Sequence, residues 1–127
     1  MSIENMKPGN VAEGADTENA FEELALDFGL RNAVFPKVGT EAYKRLTAVC
    51  HEYSTEVFNE AVPNRRVHNI ERLENSQTRR RRLHNQLCIM IFGLDHDAVN
   101  KRDADDLQRV ANIAHAISGR EHLIVEL

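Results

Sequence analysis

Between positions 43 and 57 the apolar side chains Tyr43, Leu46, Cys50, Tyr53 and Val57 recur at spacings of three, four, three and four. A helix of 3.6 residues per turn gathers such a series into one narrow stripe, whereas a strand would scatter it over both faces. The stripe is the seam used between packed helices, so a chain carrying it must supply further striped elements to cover it. Thr40 is placed to cap this helix, and Val62-Pro63-Asn64 to end it, because proline cannot continue a helix.

The flanking segments supply those elements. Phe21, Leu24 and Phe28 recur at helical spacing, with Asp16 or Thr17 as cap, Glu18, Glu22 and Glu23 in the first turn and Gly29 as the stop. Arg31 to Gly39 contains Pro36 and reads as a connector with a short extended piece at Ala33 to Phe35. A third helical stretch runs from Arg65 towards Phe92. Val67, Ile70 and Leu73 point one way along it and Leu83, Leu87, Met90 and Leu94 another, about 100° round. The rotation predicts either a break near Asn75-Ser76 or two halves packed on different partners. Leu87 to Phe92 is apolar on every side, which suits a central helix or a buried strand.

Gly93 and Leu94 to Arg102 read as a loop. Asp103 can cap a last helix whose apolar face is Leu107, Val110, Ala111, Ala114 and Ile117, stopped by Gly119. The tail, His122 to Leu127, is β-prone and is expected as a short strand, paired with Ala33 to Phe35 or with another copy of the chain. The expected architecture is mainly α: a four-helix bundle-like single domain over 17–127. An acidic arm at 1–16, without periodicity, is expected to be disordered or loosely docked.

Composition narrows the function classes. The chain has 127 residues, 42% of them hydrophobic, which fits one domain with one core. Its net charge of -4 excludes polyanion binding by bulk charge, so any such role needs a local basic patch. Cys50 and Cys88 sit among apolar neighbours and read as reduced core thiols. The first 19 residues contain no apolar signal-peptide core, and Leu87 to Leu94 is too short to cross a bilayer. A cytoplasmic protein without membrane contact is the expectation.

The strongest charge feature is the run Arg79 to Arg82, preceded by Arg65, Arg66 and Arg72. A hairpin turning at Pro63 would bring Arg65, Arg66 and Arg72 to the acidic row Glu60, Glu56 and Glu52 as surface ion pairs. It would set Arg79 to Arg82 opposite Lys44 and Arg45. The predicted contact surface is therefore a basic patch of Lys44, Arg45, Arg79, Arg81 and Arg82, with the acidic arm as a possible competitor for it. Four consecutive helical residues sweep about 300°, so they cannot share one ligand. Arg80 falls near the apolar row and needs a buried acid or a partner.

His96-Asp97, with His68 upstream, resembles the His-Asp motif of the HD-domain metal phosphohydrolases, in which such residues hold a metal that activates water. The sequence departs from that pattern. Gly93 and Asp95 interrupt the helix that should precede the motif, and Asp103, Asp105 and Asp106 follow too closely for its final aspartate. Asp95, Asp97 and Asn100 lack the spacing of a calcium loop. The other histidines, His51, His84, His115 and His122, form no His-x-x-x-His pair. There is no Gly-x-Ser-x-Gly and no phosphate-binding glycine loop.

No catalytic residue, metal ligand or cofactor is expected on these grounds. The expected function is a non-enzymatic helical interaction, adaptor or regulatory protein that binds a macromolecular partner, and acts as a homodimer. The alternatives are a nucleic-acid-binding regulator using the same arginines, and a small HD-like metal-dependent hydrolase centred on His68, His96 and Asp97.

Overall fold

The computed structural model describes the backbone of residues 19–61 and 70–127 and the side chains of residues 19–60 and 77–127. Among the described residues there are five α-helices and no strand: α1 (Ala20–Phe28), α2 (Glu41–Ala61), α3 (Ile70–Phe92), α4 (His96–Arg102) and α5 (Asp105–Ile117). A 3-10 turn, Glu121–Leu123, follows α5. The mainly α fold read from the sequence is the fold observed. The predicted caps Asp16 and Thr17, the arm at 1–16, His68 and the ion pairs of Arg65, Arg66 and Arg72 lie outside the described residues.

α1 begins at Ala20, two or three residues later than a cap at Thr17 or Asp16 would place it. Asn19 caps it, its side-chain oxygen accepting the Phe21 N–H at 2.9 Å while its Nδ2 donates to the Pro36 carbonyl at 2.7 Å. Gly29 ends the helix with φ of 78°, a left-handed conformation that a Cβ would strain. Phe21 is fully buried, stacked on Phe35 at 5.6 Å and edge-on to Tyr43 at 5.5 Å. This aromatic triplet joins α1, the connector and α2.

The seam of α2 is internal. Leu46, Cys50 and Tyr53 are buried, with Tyr43 and Val57 packed at the core's edge. α2 packs chiefly on α3 and α5, and α1 lies on α5. α3 is one unbroken helix of 23 residues, with no Gly or Pro to interrupt it at Asn75-Ser76. Leu87 to Phe92 is its last turn and a half, so the strand alternative is set aside. Leu83, Leu87 and Ile91 meet the core. The extended Ala33 to Phe35 piece serves α3 rather than a strand: Val34 N–H donates to the Ile91 carbonyl at 2.9 Å, one of the carbonyls the helix end leaves open.

Two expectations are corrected here. The segment taken as a loop, Leu94 to Arg102, contains α4. Asp95 caps it, its carboxylate accepting the Ala98 N–H at 2.8 Å, with Asp97 in the first turn and Lys101 and Arg102 in the last. Those residues suit the helix dipole end for end. Only Val99 of α4 is buried, so the segment shows no apolar stripe. The tail is not a strand. Its Val125 N–H and C=O are both taken by the side-chain amide of Asn112, at 3.0 and 2.7 Å, so no neighbouring strand is needed to satisfy them.

The junction of α4 and α5 is an ionic knot. Arg109 reaches Asp106 at 2.7 Å and Asp103 at 3.1 Å, and Arg102 reaches Asp106 at 3.4 Å. Ala104, not the expected Asp103, stands at the N-cap of α5; Asp103 ends α4, and its carboxylate still accepts the Asp105 N–H at 3.1 Å.

Phe21→Ala is expected to cost about 3–5 kcal/mol, as fully buried aromatics do. Leu26→Ala, on the exposed side of the same helix, should stay within about 0.5 kcal/mol. Urea denaturation of the two variants checks the pair; equal losses would show that α1 is not held by its aromatic anchor.

Candidate functional site

The structure divides the five predicted patch residues. Arg79 pairs with Glu56 at 3.2 Å, and Arg80 Nε sits 3.1 Å from both carboxylate oxygens of Glu60. These pairs set Arg79 and Arg80 of α3 against Glu56 and Glu60 of α2. The register in which Arg79 to Arg82 face Lys44 and Arg45 is therefore corrected. Lys44 lies twelve positions before Glu56, about 18 Å along the axis of α2. It reaches Glu41 at 3.5 Å in the open, and Arg45 edges an apolar groove with Val34, Pro36, Leu46 and Met90 at the other end of the hairpin.

The reading of Arg80 holds. It needed an acid, and Glu60, itself largely shielded from solvent, supplies one. Arg81 and Arg82 form no ion pair with any described residue and are exposed. They face α4, not α2. With Asp95, His96 and Asp97 they line an outer cleft of about 460 Å³. Asn85 ties its two walls together by accepting the His96 N–H at 2.8 Å.

A second, inner cleft of about 360 Å³ shares Arg81 and His96 with the first. Tyr53, Arg80, His84, Leu107, Gln108 and Ala111 also line it. A layer of rings runs across α4, α3, α2 and α5, half-buried at His96 and buried at the other three. His96 stands edge-on to His84 at 5.0 Å, His84 lies 4.9 Å from Tyr53, and Tyr53 lies 5.8 Å from His115. Ser54, fully buried, closes the layer with its hydroxyl 2.8 Å from His115 Nδ1.

His84 is 8% exposed, and its Nε2 lies 2.9 Å from the Leu107 carbonyl. A carbonyl only accepts, so Nε2 carries the proton and Nδ1 of the neutral ring is a bare acceptor. Burial drives the His84 pKa down to about 4, with the His96 ring and the Arg80 charge adding to the effect and the Leu107 bond opposing it. Burial likewise lowers His115 to about 4, helped by Arg120 and His122. Burial raises the Tyr53 phenol to about 12 against the pull of the nearby Arg80.

The two thiols are free and buried, as read from the sequence. Burial pushes Cys50 to about 12 and Cys88 to about 11, which leaves them protonated and unreactive at neutral pH. Among the described residues no group of three or more His, Cys, Asp or Glu side chains is placed to hold a metal ion. His96 is engaged with His84 rather than with Asp97. Sequence reasoning passed over His84 as a lone histidine. One signal was available: His84 and Cys88 are four residues apart, beside the apolar pair Leu83 and Leu87, which places both on the inner side of α3.

No protein-family model, no curated protein and no solved structure matches the chain.

The buried imidazoles set an acid limit. In the unfolded chain each histidine takes up a proton near pH 6.5, whereas the folded protein resists protonation until about pH 4. Stability is therefore complete above pH 6.5 and falls as the pH drops towards 4. Urea midpoints measured from pH 7.5 to 4.5 should decline through that window, and the decline should shrink in His84→Gln. A midpoint independent of pH would show that neither ring is held neutral.

Proposed function

We propose that the protein is a non-enzymatic interaction protein that binds an acidic protein partner through the face of α3 bearing Arg81 and Arg82. One observation carries this reading: of four consecutive arginines, two are tied to Glu56 and Glu60, and two stand exposed beside an open cleft without an ion pair to any described residue, although Asp95 and Asp97 line the same cleft. Unpaired guanidinium groups are suited to carboxylates, which they meet with two parallel hydrogen bonds. Lys44 and Arg45, at the far end of the hairpin, are not part of this surface. A homodimer, in the same reading, would cover the apolar groove beside Arg45.

Magnitude disfavours nucleic acid as the partner. Affinity for duplex DNA falls with log salt at a slope of about -0.9 for each phosphate contacted, so two free arginines give a slope near -2. Proteins that bind phosphate backbones through charge make several times as many contacts, and the net charge of -4 opposes such binding here. No helix among the described residues is long and apolar enough to cross a membrane.

Fluorescence anisotropy with labelled polyglutamate and with random-sequence duplex DNA tests the assignment. Polyglutamate should bind at low salt and be lost in Arg81→Glu/Arg82→Glu, and DNA should show a slope of about -2 or shallower. A slope of about -5 or steeper would move the protein to the nucleic-acid class. Polyglutamate binding that ignores the charge reversal would remove the surface altogether.

A further inference from the structure

The inner cleft carries features that a flat contact with a protein does not use. We infer that it binds a phosphomonoester carried on a small apolar body, the phosphate lying between Arg81 and His96 and the body against Tyr53, Leu107 and Ala111. This site goes beyond the acidic-partner surface. It shares Arg81 with that surface, but Arg82 belongs only to the outer cleft.

Three observations converge. His84 is nine-tenths buried at the cleft wall, with Nε2 committed to Leu107 and no described residue donating to Nδ1. A shielded acceptor of this kind is costly unless something with an O–H or N–H comes to it. Arg81 brings a guanidinium without an ion pair to the same space, and Arg80, oriented by Glu60, stands beside it. Tyr53, Leu107 and Ala111 contribute carbon surface to a cleft that is otherwise polar, a mixed lining that suits a ligand with a charged head and a small apolar body. The cleft, about 360 Å³, lies within the range of small-molecule sites.

Phosphate fits better than carboxylate because the donors approach from different elements. Arg81 comes from α3 and His96 from the start of α4, so they meet a bound group from two sides. A tetrahedral group offers three oxygens in three directions, whereas a carboxylate is best met by one planar fork. At neutral pH a phosphate also retains a fraction of P–OH, a donor that a carboxylate lacks. Asp95 and Asp97 lie on the other side of His96, in the outer cleft, and their charges oppose an anion. Replacing Asp97 with Asn should therefore tighten binding.

Isothermal titration of the full chain at pH 7 and low salt, with phenyl phosphate, inorganic phosphate and benzoate, tests the site. Phenyl phosphate should bind one to one, roughly tenfold tighter than either of the other two. Arg81→Met should weaken it about tenfold or more. His96→Gln should weaken it less, and Arg82→Ala should change it by no more than about twofold, since an exposed charge outside the cleft acts only through screened attraction. Far-UV circular dichroism of each variant confirms that the helices persist. Undetectable binding of phenyl phosphate at millimolar concentration, or binding unchanged in Arg81→Met, would overturn the site. Benzoate binding as tightly as phenyl phosphate would overturn the choice of phosphate. Arg82→Ala should reduce polyglutamate capture while sparing phenyl phosphate, so the two proposals fail separately.

Discussion

The register between α2 and α3 decides what the surface of this protein is. Arg80 Nε is held equally by both oxygens of Glu60, and Arg79 by Glu56 one turn away. Each ion pair joins a partly exposed guanidinium to a largely shielded carboxylate and contributes about 1 kcal/mol or less. Their importance is directional. Once Arg79 and Arg80 face α2, the 100° step of the helix turns Arg81 and Arg82 towards α4. The charge is thus sorted into a neutralised half and an open half by helical geometry alone.

Apolar packing makes that register possible. Leu46, Leu87 and Ile91 are buried in one continuous core with Phe21 and Ile113. A hairpin turning at Pro63 would bring a different set of α3 residues to the seam of α2. Burial of several large side chains outweighs the ion pairs by an order of magnitude, so the core sets the register and the charges follow it. The ring layer of His96, His84, Tyr53 and His115 links the same packing to the clefts. It holds the imidazoles in place with few rotamers to lose, a property of a preorganised site.

Much of this was legible in the sequence. The seam of α2, the continuous apolar end of α3, the α5 face and the stop at Gly29 all follow from periodicity and backbone preference, and the structure contains them. α4 was not legible, because a short helix with one buried side chain, Val99, leaves no stripe to read. The tail was misread because β-propensity describes a half-buried extended backbone without saying what pairs with it, and here a side chain, Asn112, takes that place. The surroundings of the arginine run were half legible. That Arg80 needs an acid follows from its angular position, but which residues face Arg79 to Arg82 depends on where α3 starts, which Pro63 alone does not fix.

The division of the arginine run is most directly tested by double-mutant cycles between Glu60 and each of Arg80, Arg81 and Arg82, read by urea denaturation. The account predicts a coupling of about 1 kcal/mol for Glu60 with Arg80 and close to zero for the other two. Equal coupling of Glu60 to Arg81 or Arg82 would contradict it, since the guanidinium groups assigned to the open clefts would then already be spoken for.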